Sequence, residues 1–122
     1  MAIPRTAKNN YLDGRDLFYR LYEKMGRGGS LNKLQWQLYN EGIFNTENGK
    51  PYSTSAIFQS IWRWMLNNLD EAKPIYKNYI LMFGEDFDED IWTKNVAQRV
   101  NSYFTKAQAR KFFRDHPEYA TQ

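Results

Sequence analysis

Apolar side chains recur at spacings of three and four along most of this chain. Leu17, Phe18, Leu21, Tyr22 and Met25 form the first such stripe, and residues three and four apart share one face of a helix. Asp13 stands just ahead of it, where a carboxylate accepts hydrogen bonds from the first free N–H groups, so a helix is expected from Asp13. Gly26, Gly28 and Gly29 end it. Ser30 then reads as the N-cap of a second helix carrying Leu31, Leu34 and Leu38, with Trp36 and Tyr39 nearby. That helix is expected to end at Gly42, which suits a left-handed C-cap.

The pattern breaks at residues 45–55, NTENGKPYSTS, which have no apolar period. Asn48-Gly49 is a strong turn dipeptide, and Pro51 pushes Lys50 toward extended backbone. A tight turn or small β-hairpin is expected here. Ser53 or Thr54 is the natural cap of a third helix, whose Ile57, Phe58, Ile61, Trp62, Met65 and Leu66 make one buried stripe. Ser55, Gln59, Ser60 and Arg63 fall nearer its opposite face. Trp62 and Trp64 cannot share a face, so one belongs to the core; the other packs on the C-terminal helices or marks a partner surface.

A fourth helix is expected from near Asp70, with Pro74 inside its first turn, carrying Ile75, Tyr76, Tyr79, Ile80 and Phe83 to Gly84. The acidic run EDFDED follows, then a fifth helix with Ile91, Trp92, Val96, Val100, Tyr103 and Phe104. Thr105 caps a sixth that runs through Phe112 and Phe113 and stops before Pro117. The expected fold class is therefore all-α: a compact bundle of five to six helices, with the hairpin as its one extended feature. Residues 1–12 read as a flexible basic arm, 13–116 as a single helical domain and 117–122 as a tail.

The stretch GGSLNKLQWQLYNEGIFNTENGKPYSTSAIFQSIWRWML, residues 28–66, resembles the helix-turn-helix segment in the DNA-binding region of large serine recombinases and related mobile-element proteins. It shares a helix ending in Asn40-Glu41-Gly42-Ile43, a Gly49-Lys50-Pro51-Tyr52 turn, and Ser/Thr caps before a short helix. Tyr52 stands where that family usually has tryptophan. These 122 residues leave no room for the family's catalytic domain, and there is no cysteine for its zinc ribbon. The resemblance thus implies a double-stranded DNA-reading module without recombinase chemistry.

The physics of such a module can be written for these residues. In a helix-turn-helix the second helix lays its start in the major groove, where short polar side chains meet base edges and phosphates. Ser53, Thr54, Ser55 and Gln59 occupy that start; Gln pairs bidentately with adenine, and Ser or Thr bonds a base or a phosphate. Lys50 on the turn, and Arg27 and Lys33 at the start of the bracing helix that precedes it, offer sequence-independent phosphate contacts. Arg5 and Lys8 on the arm can reach a neighbouring groove. Arg63, further along, touches backbone at most. Each has a plainer alternative: Ser-Thr-Ser as a simple N-cap, Lys50 as a solvated turn residue.

Charge adds to this picture. The net is +3, but residues 1–68 hold nine bases and five acids, whereas residues 69–122 hold eight and nine. Any polyanion footprint belongs to the N-terminal half. A further basic set, Lys94, Arg99, Lys106, Arg110, Lys111 and Arg114, does not share one face and defaults to solvated surface. The absence of cysteine removes disulfides and thiolate metal sites and points to an intracellular, cytoplasmic setting in a bacterial or phage-infected cell. No run of residues is apolar enough for a membrane span, so no membrane partner is expected.

Candidate chemistry is sparse. Glu85, Asp86, Asp88, Glu89 and Asp90 invite a hard-cation hypothesis, but acids at a helix start favour its positive end, and the spacing lacks a calcium loop's glycine and terminal Glu. A small metal-dependent nuclease using this run is thus a third-ranked reading. His116 is the only histidine and has no Ser or Asp partner in sequence. No catalytic residues, metal ligands or cofactors are expected. The first reading is a non-catalytic DNA-binding protein of a phage or mobile element; the second is a helical protein-interaction module, such as a virion component or an adaptor of a larger enzyme. Aromatics make up 17% of the chain, enough to expect some on a homo-oligomer or partner interface.

Overall fold

A computed structural model describes residues 11–120, and these form an all-α bundle of six helices. The first, α1 (Gly14–Phe18), starts where expected: the Asp13 carboxylate accepts from the N–H groups of Arg15 and Asp16 at 3.1 and 3.2 Å. It then runs without a break into a π-helical stretch, Tyr19–Met25, and a 3-10 turn, Gly26–Gly28. The wider winding was not legible in the periodicity. It keeps Phe18, Leu21 and Tyr22 buried together, so the apolar stripe survives the change of pitch.

Three helices follow the expected caps, and a fourth is capped from within the acidic run. In α2 (Leu31–Asn40) the Ser30 hydroxyl accepts from the Lys33 N–H, and in α3 (Thr54–Asn67) the Ser53 hydroxyl accepts from the Ala56 N–H. Asp88 caps α5 (Glu89–Tyr103), and Thr105 with Gln108 forms a reciprocal capping box on α6 (Lys106–Asp115). α4 (Leu69–Met82) begins one residue before Asp70, so Pro74 is its sixth residue and lies beyond the first turn. The missing N–H leaves the Asp70 carbonyl without a helical donor; Asp70 is exposed, where water can take that role.

The core is centred on α3, which packs against α1, α2, α4 and α5. Ile57, Ile61, Trp62, Met65 and Leu66 are all buried on it, each such side chain contributing roughly 2 kcal/mol relative to exposure. α1 approaches α3 most closely at Gly14: a Cβ there would stand 2.5 Å from the Ser60 carbonyl oxygen and 2.6 Å from the Trp64 Cβ. The closeness lets Trp64 lie over Phe18 and Tyr19, with ring centroids 5.1 and 6.3 Å away. Trp64 therefore packs on the first helix and not on the C-terminal ones.

Two expectations for the C-terminal half are corrected. Residues 117–119, read as the start of a tail, form a 3-10 turn that buries Tyr119, whose hydroxyl accepts from the Trp92 indole N–H at 3.0 Å. The expected surplus of exposed aromatics is also mostly taken up by ring-on-ring packing. Tyr22, Tyr76 and Tyr79 pack edge to face, and Trp62, Tyr76 and Trp92 form a second knot. Of the C-terminal aromatics, only Phe83 remains largely exposed. No helix among the described residues is long and apolar enough to cross a membrane.

Candidate nucleic-acid interface

The segment joining α2 to α3 is short of secondary structure but held at several points. Past Asn40, Gly42 turns into the left-handed region at φ +85°. Its N–H bonds the Tyr39 carbonyl, while the Ile43 N–H bonds that of Leu38 at 2.9 Å. These bonds close the helix and send the chain back across it. The hairpin expected at Asn48-Gly49 is reduced to one antiparallel bridge, Asn45 to Lys50, with Gly49 also left-handed at φ +68°. No β-strand forms among the described residues. Finally the Gln35 amide donates to the Tyr52 carbonyl at 2.9 Å, fixing the residue before Ser53 against α2.

This anchoring places the start of α3 at the surface. Ser53 and Ser55 are exposed, and Thr54 is half-buried. Ser53 spends its hydroxyl on the Ala56 N–H, so the plain capping role is real for that residue. Lys50 is exposed on the turn, its own N–H taken by the Asn48 side chain. Gln59 is half-buried one turn further along α3.

The cations beside α2 also lie at the surface. Arg27 is exposed on the 3-10 turn, and Lys33 donates from Nζ to the Gly28 carbonyl at 2.6 Å. This ties the first turn of α2 to the preceding bend. Of the acids in this part of the chain, Glu41 is clasped by both terminal nitrogens of Arg20 at 2.7 and 2.8 Å. That hydrogen bonding holds the Glu41 carboxyl below its ordinary range and sets the Arg20 charge against its own. Glu47 is exposed near Tyr52, whose hydroxyl pKa is raised first by burial and then by this carboxylate.

Arg63 does not join this group. Its guanidinium donates to the Tyr103 carbonyl at 2.9 Å, at the end of α5, where a cation is favoured by the helix dipole. Ser53 and Ser55 thus stand open at the start of α3, whereas Arg63 further along is exposed but tied to the end of α5. Arg99 is a second tie between α5 and α3, with its guanidinium 5.0 Å from the Phe58 ring and 5.4 Å from the Trp62 ring. Arg5 and Lys8 lie outside the described residues.

Two features escaped the sequence reading. Trp36 is 53% exposed on α2, one turn from Lys33 and stacked edge-on against Tyr39. Its position off the Leu31-Leu34-Leu38 stripe was the available signal. Arg99 was grouped with solvated bases, because a cation lying on rings from another helix leaves no trace in local spacing. The acidic run, by contrast, behaves as read: Asp88 accepts from the N–H groups of Asp90 and Ile91, and Glu89 pairs with Lys73 at 2.6 Å. No three metal-ligating side chains converge among the described residues. The chain matches no protein-family model, no curated protein and no solved structure.

Proposed function

We propose that this chain is a non-catalytic, double-stranded DNA-binding protein of helix-turn-helix type from a phage or mobile element. In that setting it acts as a regulator, packaging adaptor or architectural factor. The observation that carries the reading is the uncovered first turn of α3, where Ser53 and Ser55 stand at the surface beside exposed Lys50. α2 braces this turn through the Gln35–Tyr52 bond. The N–H groups of Thr54 and Ser55 have no acceptor among the described residues, so this helix start can receive a phosphate oxygen. Lys50 supplies positive charge on the adjoining turn, and Lys33 and Arg27 add exposed positive charge at the start of α2. The resemblance of residues 28–66 to recombinase DNA-binding segments supports the same reading.

A gel-shift titration on random-sequence duplex DNA at two salt concentrations tests it. Retention at low salt should weaken steeply as salt rises, and Lys50→Glu should weaken it further while reducing the salt slope by about one. Absence of retention at low salt would overturn the reading. The second reading, a helical protein-interaction module such as a virion component or enzyme adaptor, is favoured by one observation: Leu81, Phe83 and Ile91 remain largely exposed on the far side of the sequence from the basic half.

A further inference from the structure

The corner where α4 gives way to α5 combines two properties that seldom occur together on a solvated surface. Leu81, Met82 and Phe83 at the end of α4 and Ile91 at the start of α5 are 42–57% exposed. Between the helices runs a groove of about 160 Å³, walled by Ile80, Phe87 and Ile91 and rimmed by Glu85, Asp86 and Asp88. Of the neighbouring acids, Asp88 and Glu89 are committed to capping and to Lys73, whereas Glu85, Asp86 and Asp90 are exposed and have no cationic partner among the described residues. Lys77, on α4, is drawn onto the Phe87 ring at 5.6 Å.

We propose that this groove is a docking site for a basic amphipathic helix of a protein partner. It is independent of the DNA reading. The groove holds about half of the space that small-molecule sites start from, so it suits one apolar side chain of a docked segment and not a free metabolite. An apolar anchor flanked by Lys or Arg is the complement of an apolar slot flanked by unpaired carboxylates. The same carboxylates repel DNA and anionic lipid surfaces. A second copy is a poor complement: its basic helix, α6, already turns Phe112 into its own core.

The probe is a fluorescein-labelled synthetic helix of roughly 16 residues with lysines on one face and leucines on the other. Its anisotropy on titration with the full chain should show saturable binding that weakens with salt. Ile91→Ser and the pair Glu85→Lys with Asp86→Lys should each weaken it by about tenfold or more. All three residues are exposed, and circular dichroism melts of the variants should match the parent. Three results would overturn the proposal. One is equal affinity for a scrambled peptide of the same charge but no apolar face, or indifference to Ile91→Ser. Another is a dimer in sedimentation that Ile91→Ser dissolves, which assigns the face to a second copy. The last is vesicle flotation lost with Ile91→Ser, which assigns it to a membrane.

Discussion

Arg63 and Tyr103 are joined by a 2.9 Å hydrogen bond from a guanidinium nitrogen to a carbonyl oxygen, forty positions apart in the chain. The bond converts a cation expected on DNA into a clamp between α3 and the end of α5. Arg63→Ala should therefore lower stability by about 1 kcal/mol, read as a shift in urea midpoint. In the gel shift it should change retention less than Lys50→Glu does.

Gly14 is set by packing and not by turn geometry. Its α-carbon faces α3 backbone that cannot swing aside, since a Cβ would lie within 2.6 Å of both the Ser60 carbonyl oxygen and the Trp64 Cβ. Gly14→Ala should cost on the order of 2 kcal/mol through displacement of α1, measurable by thermal or denaturant melts.

Gly42 is the converse case, with open space around it and a φ of +85°. Gly42→Ala should cost about 1 kcal/mol from backbone strain alone. If the turn sets up the start of α3, the same change should also weaken duplex retention without altering the salt slope.

Tyr119 extends the domain past its expected end. Tyr119→Phe removes the acceptor for the buried Trp92 indole N–H and should cost roughly 1–3 kcal/mol. A chain ending at His116 loses the buried ring as well and should melt lower still.

The pH dependence has an acid and an alkaline arm. Glu41 is held below the ordinary carboxylate value by its bond from Arg20, and Glu71 by its bond from the Tyr19 hydroxyl and then by Arg15. A lowered folded-state value stabilises the fold above pH 4.5 or so, and that contribution fades as pH falls further. Burial raises the Tyr22 hydroxyl well above 10, so the unfolded chain ionises first and stability should fall above about pH 10. Tyr22→Phe should move the alkaline unfolding midpoint upward, whereas Glu41→Gln should flatten the acid arm.

Much of the fold was legible because every helix but α4 carries its own capping side chain. Asp13, Ser30, Ser53, Asp88 and Thr105 all act as N-caps in the structure, and most of the apolar side chains behind them are buried, Ile91 on α5 being an exception. Local side-chain chemistry decides those features, so a local reading finds them. The tie of Arg63 to Tyr103 and the stacking of Arg99 on Phe58 depend on how α5 lies across α3, and the burial of Tyr119 on how residues 117–119 pack on α5 and α6. No window of sequence contains both partners. The candidate interface divides the same way: the exposed first turn of α3 follows from a cap and a turn, while the tie of Arg63 to α5 follows from tertiary packing.

The two kinds of segment on either side of α2 should tolerate change in length very differently. Residues 45–50 form an exposed loop closed by a single bridge, so an inserted residue there is absorbed by solvent-facing backbone. The wide-pitched stretch Tyr19–Met25 has no such slack, because Leu21 is buried and the Tyr22 ring sits between Phe18 and the Tyr76 and Tyr79 rings of α4. Deleting one residue would rotate everything after it by about a quarter turn and swing a tyrosine into water. Descendants of this sequence should therefore vary in loop length near Asn48 and keep a fixed count of residues between Asp13 and Gly26.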